Sequence, residues 1–426
     1  MAIISFTRAQ SVKACITNYP FNKFYEYRVY DGASYVKSWT AEVLSEPTFR
    51  MVINGGAGEM VIRLGRKFDD FGEDVDVKLF NKVEVWCYDR DAINGTMIYS
   101  GFISGYRPVL DGHSEYIEVT LLPYLVECSN IMLRSGSDTQ VSYSSQDPAD
   151  ILKDIIDKYR SDGGEIEYTV TSVDNCNTTV SYTFNCYTIK EALDKVIELT
   201  PENWYWRIDA DDIIHLHLSS MSDATHDFVI GKHVNYMETW RRAEDLINRV
   251  YFIGQESAGV PMYRVYSNTS SIEAYGIHVT KKVDQRVALT SSADIISNRI
   301  INSKEDPEIR TTLVVVDNNG SNHTHGLGYD IESIKPGDTM RIRNIKHGVK
   351  TISLWDVAMW DVDVWDQTLA YSAADVIQIL AVEYTPNLVR LEASSRLPEI
   401  SKRMEDIYRN VEETQTWNTP ATPTEG

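Results

Sequence analysis

Basic charge, cysteine and long apolar runs are all in short supply in this chain. Lys and Arg number 41 against 62 Asp and Glu, a formal charge of −21 with nine histidines taken as neutral. That balance repels phosphate backbones and releases no counterions from them, which argues against tight or sequence-specific DNA binding. A solvated acidic exterior accounts for the same count. Five cysteines (Cys15, Cys87, Cys128, Cys176, Cys186) stand at wide spacings without a CxxC pair. A disulfide framework or thiolate zinc site therefore lacks support, and buried free thiols are the expectation. No stretch approaches the roughly 18 apolar residues of a membrane span, and the start, from Met1 to Gln10, lacks a signal peptide's apolar segment. Folding in a cytosol is expected.

Catalytic signatures are missing as well. There is no GxSxG elbow, HExxH helix or GxxxxGK[ST] loop. Gly55, Gly56 and Gly58 are glycine-rich but read as a turn. Asp69, Asp70, Glu73, Asp74 and Asp76 lack the EF-hand pattern and read as a solvated acidic loop. His215 with His217, and His323 with His325, each put two imidazoles on one face of an extended segment, but spacing fixes no third ligand. No catalytic, cofactor-binding or metal residue is assigned, and no cofactor is expected.

What is present is a chain of 426 residues, 43% apolar, with 25 Tyr and 9 Trp. That is more than one core normally serves, so two to four domains are expected. Residues 1–128 alternate in short runs, Phe24 to Val29, Ser38 to Leu44, Glu59 to Leu64, Lys82 to Tyr88, Met97 to Ile103 and Glu115 to Leu121. Turn pairs at Asp31-Gly32, Gly55-Gly56, Asn94-Gly95 and Asp111-Gly112 separate them. A barrel or sandwich follows, with Val83, Val85 and Cys87 on one face and Glu84, Trp86 and Tyr88 on the other. Over 129–225 the period becomes helical. Asp147 caps a helix with Pro148 at its first position, and Thr188 with Glu191 forms a capping box for a second. Ile155, Leu193 and Val196 are expected core residues of this small α+β domain, in which two helices cover a sheet made from Glu165 to Val170, Thr179 to Phe184, Trp204 to Ile208 and Ile213 to Leu218.

Residues 226–395 read as a second β domain with a helical insertion near Ser292 to Ile301. The fold class expected is therefore mainly β with an inserted α+β domain, the two β regions being tube-like barrels or sandwiches. A Trp-Asp pair recurs every five residues at 355–366, too briefly for a propeller. In the last segment, 396–426, Ile400, Met404, Ile407 and Val411 are spaced 4, 3 and 4, the seam of a short coiled coil or of a helix docked on one surface, before a Thr- and Pro-rich tail.

The segments Asp147 to Tyr159, Thr188 to Leu199 and Trp204 to Asp211, together with Asn248 to Tyr251, Ser333 to Asp338 and Val382 to Pro386, make the chain resemble siphovirus minor tail proteins of the baseplate or tail-tip hub class. Its domain order is similar to that of hub proteins of contractile phage tails and related injection machines. The resemblance implies a non-enzymatic virion protein at the distal end of the tail, made in the host cytoplasm. It implies a homotrimer whose two tube-like elements per chain adapt a sixfold tube to a threefold tip. Partners implied are the distal tail protein, the tape-measure protein and a fibre, spike or receptor-binding protein, with DNA passing unbound. A carbohydrate-binding adhesin and a cell-wall hydrolase are the alternatives from other classes.

Overall fold

The computed structural model describes residues 23–65, 76–89, 95–112, 114–201, 203–219, 225–257, 260–285, 287, 289–317, 328–343 and 376–395. The seam Ile400, Met404, Ile407 and Val411, the Trp-Asp repeat, His323, His325, Cys15, Asp69, Asp70, Glu73 and Asp74 lie outside the described residues.

Alternation in the first region yields seven strands: β1 (Lys23–Asp31), β2 (Ser34–Trp39), β3 (Phe49–Val52), β4 (Met60–Leu64), β5 (Lys82–Asp89), β6 (Thr96–Asp111) and β7 (Ser114–Leu122). Six form an antiparallel sheet in the order β2-β1-β5-β6-β7-β4. The turn at Gly32, with φ +56°, sets Asp31 opposite Ser34, and Gly112 does the same for Asp111 and Ser114. After β2 the chain swings round to the far edge strand, where Leu44 N–H donates to Arg63 O (2.8 Å) and Gly65 N–H to Glu42 O (2.7 Å), curling the sheet into a half-barrel. Val83, Val85 and Cys87 point into the core. On the opposite face Arg28 lies 4.2 Å over the Trp86 ring.

The middle region holds α1 (Leu125–Cys128), β8 (Gln140–Gln146), α2 (Pro148–Ser161), β9 (Val180–Asn185), α3 (Ile189–Leu199), β10 (Trp204–Ile208) and β11 (Ile214–Leu218). Asp147 accepts from Ala149 N–H at 2.9 Å and caps α2. Thr188 and Glu191 make the reciprocal bonds of a capping box on α3. The expected single sheet is instead two separate ribbons, β8-β9 and β10-β11. Glu165 to Val170 supplies only an isolated bridge from Glu167 to Ile213.

The rest of the chain builds two further sheets from β12 (His226–Val229), β13 (Val234–Arg242), β14 (Arg249–Ser257), β15 (Val260–Ser267), α4 (Thr269–Tyr275), β16 (Val279–Val283), α5 (Thr290–Lys304), β17 (Glu308–Val316), β18 (Thr339–Arg343), β19 (Ile377–Thr385) and β20 (Leu388–Ser394). One runs β12-β18-β19-β20-β17-β13 and the other β15-β14-β16. A bulge between Ile379 and Ala381 marks where the outer edge of β19 changes partner, from β18 to β3. The first region thus donates a strand to the second sheet.

Two large cores result among the described residues, and they do not follow chain order. The curled sheet and the seven-stranded sheet share one, which joins Tyr27, Met60 and Val85 to Phe228, Leu313 and Leu391. The second gathers the middle region with β14 and α5, through Phe252, Val287, Ala293 and Ile296. Cys87, Cys128 and Cys176 are buried free thiols, but Cys186 is exposed because it sits at the end of the β8-β9 ribbon.

Candidate functional site: the junctions between the units

Where the two large sheets meet, charged side chains are sealed into the shared core. Lys23, at the start of β1, places Nζ 2.8 Å from Asp317 Oδ1 and 2.7 Å from Glu332 Oε1. Tyr384 of β19 donates to the same Glu332 oxygen at 2.6 Å, and its hydroxyl lies 3.0 Å from that of Tyr25. Phe49 of β3 stacks on Tyr384 and meets Tyr99 edge-on, with centroids 5.1 and 5.3 Å away. Burial alone would lower the Lys23 pKa, but the charges of Glu332 and Asp317 outweigh it and hold the ammonium above its ordinary value.

The β10-β11 ribbon is wedged against both sheets. Asn54 N–H donates to Trp206 O (2.8 Å), Trp206 N–H returns to Asn54 Oδ1 (3.1 Å), and Ile208 N–H donates to Gly55 O (2.9 Å). The turn expected at Gly55 and Gly56 falls instead at Ile53 and Asn54, while Gly55 bridges Arg207 and Gly56 lets the ribbon close in, since a Cβ there would sit 3.3 Å from that of Ile208. Asp212 accepts from Ser100 Oγ (2.7 Å) and Lys82 Nζ (3.2 Å) of the curled sheet. On the other side Arg207 donates through Nη1 to Pro336 O (3.0 Å) and Asp338 Oδ1 (3.2 Å). Asp338 Oδ2 also meets His226 Nε2 at 3.1 Å and Lys335 N–H at 3.0 Å. Burial would raise the Asp338 carboxyl, but the hydrogen bond from His226 and the Arg207 charge keep it below the ordinary range.

Four of the six segments behind the family resemblance contain a buried or half-buried polar pin, Arg207 being that of Trp204 to Asp211. In the segment Asn248 to Tyr251 it is Asn248, fully buried, donating to Gly276 O (2.7 Å) and accepting from His278 N–H (2.8 Å). In Val382 to Pro386 it is Tyr384, and in Ser333 to Asp338 it is the aspartate. The sequence offered one signal for such pins, a charged residue inside an apolar run, as at Arg207 between Trp206 and Ile208. Their partners, remote in sequence, carried none.

Ile155, Leu193 and Val196 lie together in the second core, each fully buried. His215 and His217 approach at 3.3 Å and are held by Asp209 and Asp174 at 3.4 and 2.7 Å. Asp76 accepts from Trp39 Nε1 at 2.8 Å. Among the described residues no group of three or more His, Cys, Asp or Glu is arranged to hold a metal. Burial pushes the Cys128 thiol up to about 12 and raises that of Cys176 too, so neither is a thiolate at neutral pH. The arrangement is chemistry for fastening one sheet to another. No described helix is long and apolar enough to cross a membrane.

No family model matches the chain, and no curated protein matches it by sequence. Solved structures do. The 43 kDa tail protein of prophage MuSo2 from Shewanella oneidensis superposes with a TM-score of 0.54 at 12% identity, covering 87% of this chain and 98% of that one. Prophage tail protein gp18 from Listeria monocytogenes gives 0.53 at 11%, over 91% and 99%. The tail protein from Neisseria meningitidis MC58 gives 0.54 at 10%, over 88% and 96%. The fold is thus that of phage tail proteins, mainly β with a helical insert.

Proposed function

We propose that this chain is a structural subunit at the distal end of a phage-type tail, a baseplate or tail-tip hub. The observation that carries the reading is the match to three tail proteins over nearly their whole lengths, 96% to 99% of each. Each large sheet acts as the centre of one tube-like element, so a homotrimer presents six elements beneath a sixfold tube and closes by rotation. The sealed junctions support this, because two sheets fixed as one block keep their spacing around a ring. Distal tail protein, tape-measure protein and a fibre, spike or receptor-binding protein dock on it, and DNA passes through without being gripped.

Reconstruction of intact tails should count three copies around the axis; one or six would refute the stoichiometry. Carboxylates should outnumber basic groups on the inward wall of that ring, since an attractive wall would slow a polyanion. Duplex titration near physiological salt should give no saturable complex at micromolar protein, the weak end of non-specific binders being roughly 10⁻⁴ M. A wall lined by Lys and Arg, with submicromolar salt-sensitive binding, would point to a DNA-gripping role instead.

A further inference from the structure

A pair of titratable rings sits on the seam between the β10-β11 ribbon and the seven-stranded sheet. In the ribbon register Arg207 stands opposite His215 and Tyr205 opposite His217, so these four side chains share one face. Trp204, Trp206, Ile214 and Leu216 fill the other face and belong to the second core. The polar face meets the loop 335–338, where Arg207 bonds Pro336 and Asp338 and the Tyr205 ring lies against Gly337.

Hydrogen bonding fixes how many protons the pair can hold. His217 Nδ1 lies 2.7 Å from Asp174 Oδ2, and His215 Nδ1 lies 3.3 Å from His217 Nε2. A carboxylate only accepts, so His217 carries its proton on Nδ1, its Nε2 accepts, and His215 donates from Nδ1. One further proton is opposed on either ring. On His217 Nε2 it would point at the N–H of His215. On His215 Nε2 it would point at Asp209 Oδ2, 3.4 Å away, but Arg207 Nε at 2.9 Å and Lys335 Nζ at 2.5 Å already share that carboxylate. Burial, joined by the charges of Arg207, His217 and Lys335, outweighs Asp209 and holds His215 below its ordinary value. Across the seam His226 differs. Its Nε2 meets Asp338 at 3.1 Å and its Nδ1 the Tyr329 hydroxyl at 2.8 Å. A hydroxyl both donates and accepts, so that ring keeps both bonds with or without an extra proton.

We propose that the His215–His217 pair is an acid-sensitive latch: neutral, it lets the β10-β11 ribbon lie on the loop 335–338, and a proton added to it unfastens that seam while both cores stay closed. The added cation stands among Arg207 and Lys335, the two cations that tie ribbon to loop. Drawing the polar face of the ribbon away from the loop relieves the repulsion, and His226 remains with the sheet. The direction follows from linkage. A folded value below the unfolded one means that His215 contributes stability present above about pH 6.5 and lost as pH falls through the folded value. That window lies above the one in which Asp338 titrates. The latch does not depend on the tail assignment.

Hydroxyl-radical footprinting of the full-length chain across pH tests it, because Tyr205 and Trp206 are adjacent, both buried, and on opposite faces of the ribbon. Oxidation of Tyr205 should rise severalfold between about pH 7 and pH 5 while that of Trp206 stays constant. Replacing both rings, His215→Gln with His217→Gln, should flatten the response, since neither side chain can take up the proton. Asp174→Asn, at a more exposed position, should move the response to lower pH by removing a charge that favours a proton on the pair. This second variant decides the matter even if the double variant does not fold. Unchanged oxidation of Tyr205, a rise in Trp206 alongside it, the same response in the folded glutamine variant, or a midpoint unmoved by Asp174→Asn overturns the proposal.

Discussion

At Gly337 the backbone takes φ +94°, and a Cβ there would fall 2.2 Å from Tyr205 Cε2. Gly337→Ala meets both backbone strain and an aromatic ring, and should lose about 2–4 kcal/mol in denaturant unfolding. Adding Tyr205→Leu should return the steric part and leave the strain. The neighbouring Asp338 gives a pH signature. Its folded pKa lies below the unfolded value, so the ionised carboxylate contributes stability that is present above about pH 3.9 and fades as pH falls through the folded value. Asp212 works in the opposite sense, because burial, only partly offset by Lys82 and Ser100, raises its pKa. The Asp338 contribution is therefore read as the difference between wild type and Asp338→Asn. The variant should be the less stable at neutral pH, with the gap narrowing below roughly pH 4. A gap unchanged in acid would mean that the charge is not what matters there.

Among the elements, α3 joins the two halves of the second core. Its buried stripe includes Leu193, and Lys195 on the same helix bonds Asp284 at 2.7 Å and Glu198 at 2.9 Å. Leu193→Ala should cost about 2–5 kcal/mol and Thr188→Ala about 1 kcal/mol, measured on the whole chain, since Phe252, Ala293 and Ile296 pack beyond residue 225. A loss under roughly 0.5 kcal/mol for Leu193→Ala would mean that the helix is held by something other than this face. Of the three helices of the middle region, α2 and α3 were legible in the sequence because caps and stripes are local, whereas the four-residue α1 has neither. Strands fared unevenly for the same reason. β6 continues to Asp111 past the expected end at Ile103, because the bulge between Ile103 and Gly105 absorbs the glycine that reads as a stop. β8, with the polar run QVSYSSQ, and the four-residue β3 and β12 carry too little apolar alternation to be seen. β13 alternates only weakly, as one of its faces holds Glu238, Trp240 and Arg242. The polar pins were the least legible, since Lys23, Asp317 and Glu332 become neighbours only once both sheets are in place.

For the molecule as a whole, that triad is the most exacting joint. The side chains of Lys23, Asp317 and Glu332 are 6%, 0% and 8% exposed, so Lys23→Met removes a buried cation that two buried carboxylates share and should cost about 3–5 kcal/mol. Restoring balance with Glu332→Gln should recover part of it, a comparison that thermal unfolding of the single and double variants supplies. The borrowed strand has a consequence of another kind. β3 pairs Arg50 with Glu383 and Phe49 with Tyr384, so a segment near the start of synthesis waits for one near its end. At ribosomal rates of about 5–20 residues per second the interval is on the order of tens of seconds. Throughout it the half-built chain has a strand without its place in a sheet and a core without its second wall. A prematurely terminated product, lacking β19, can complete the curled sheet but not the seven-stranded one, and the joint that fixes the two sheets to each other is withheld from every chain that was not read through.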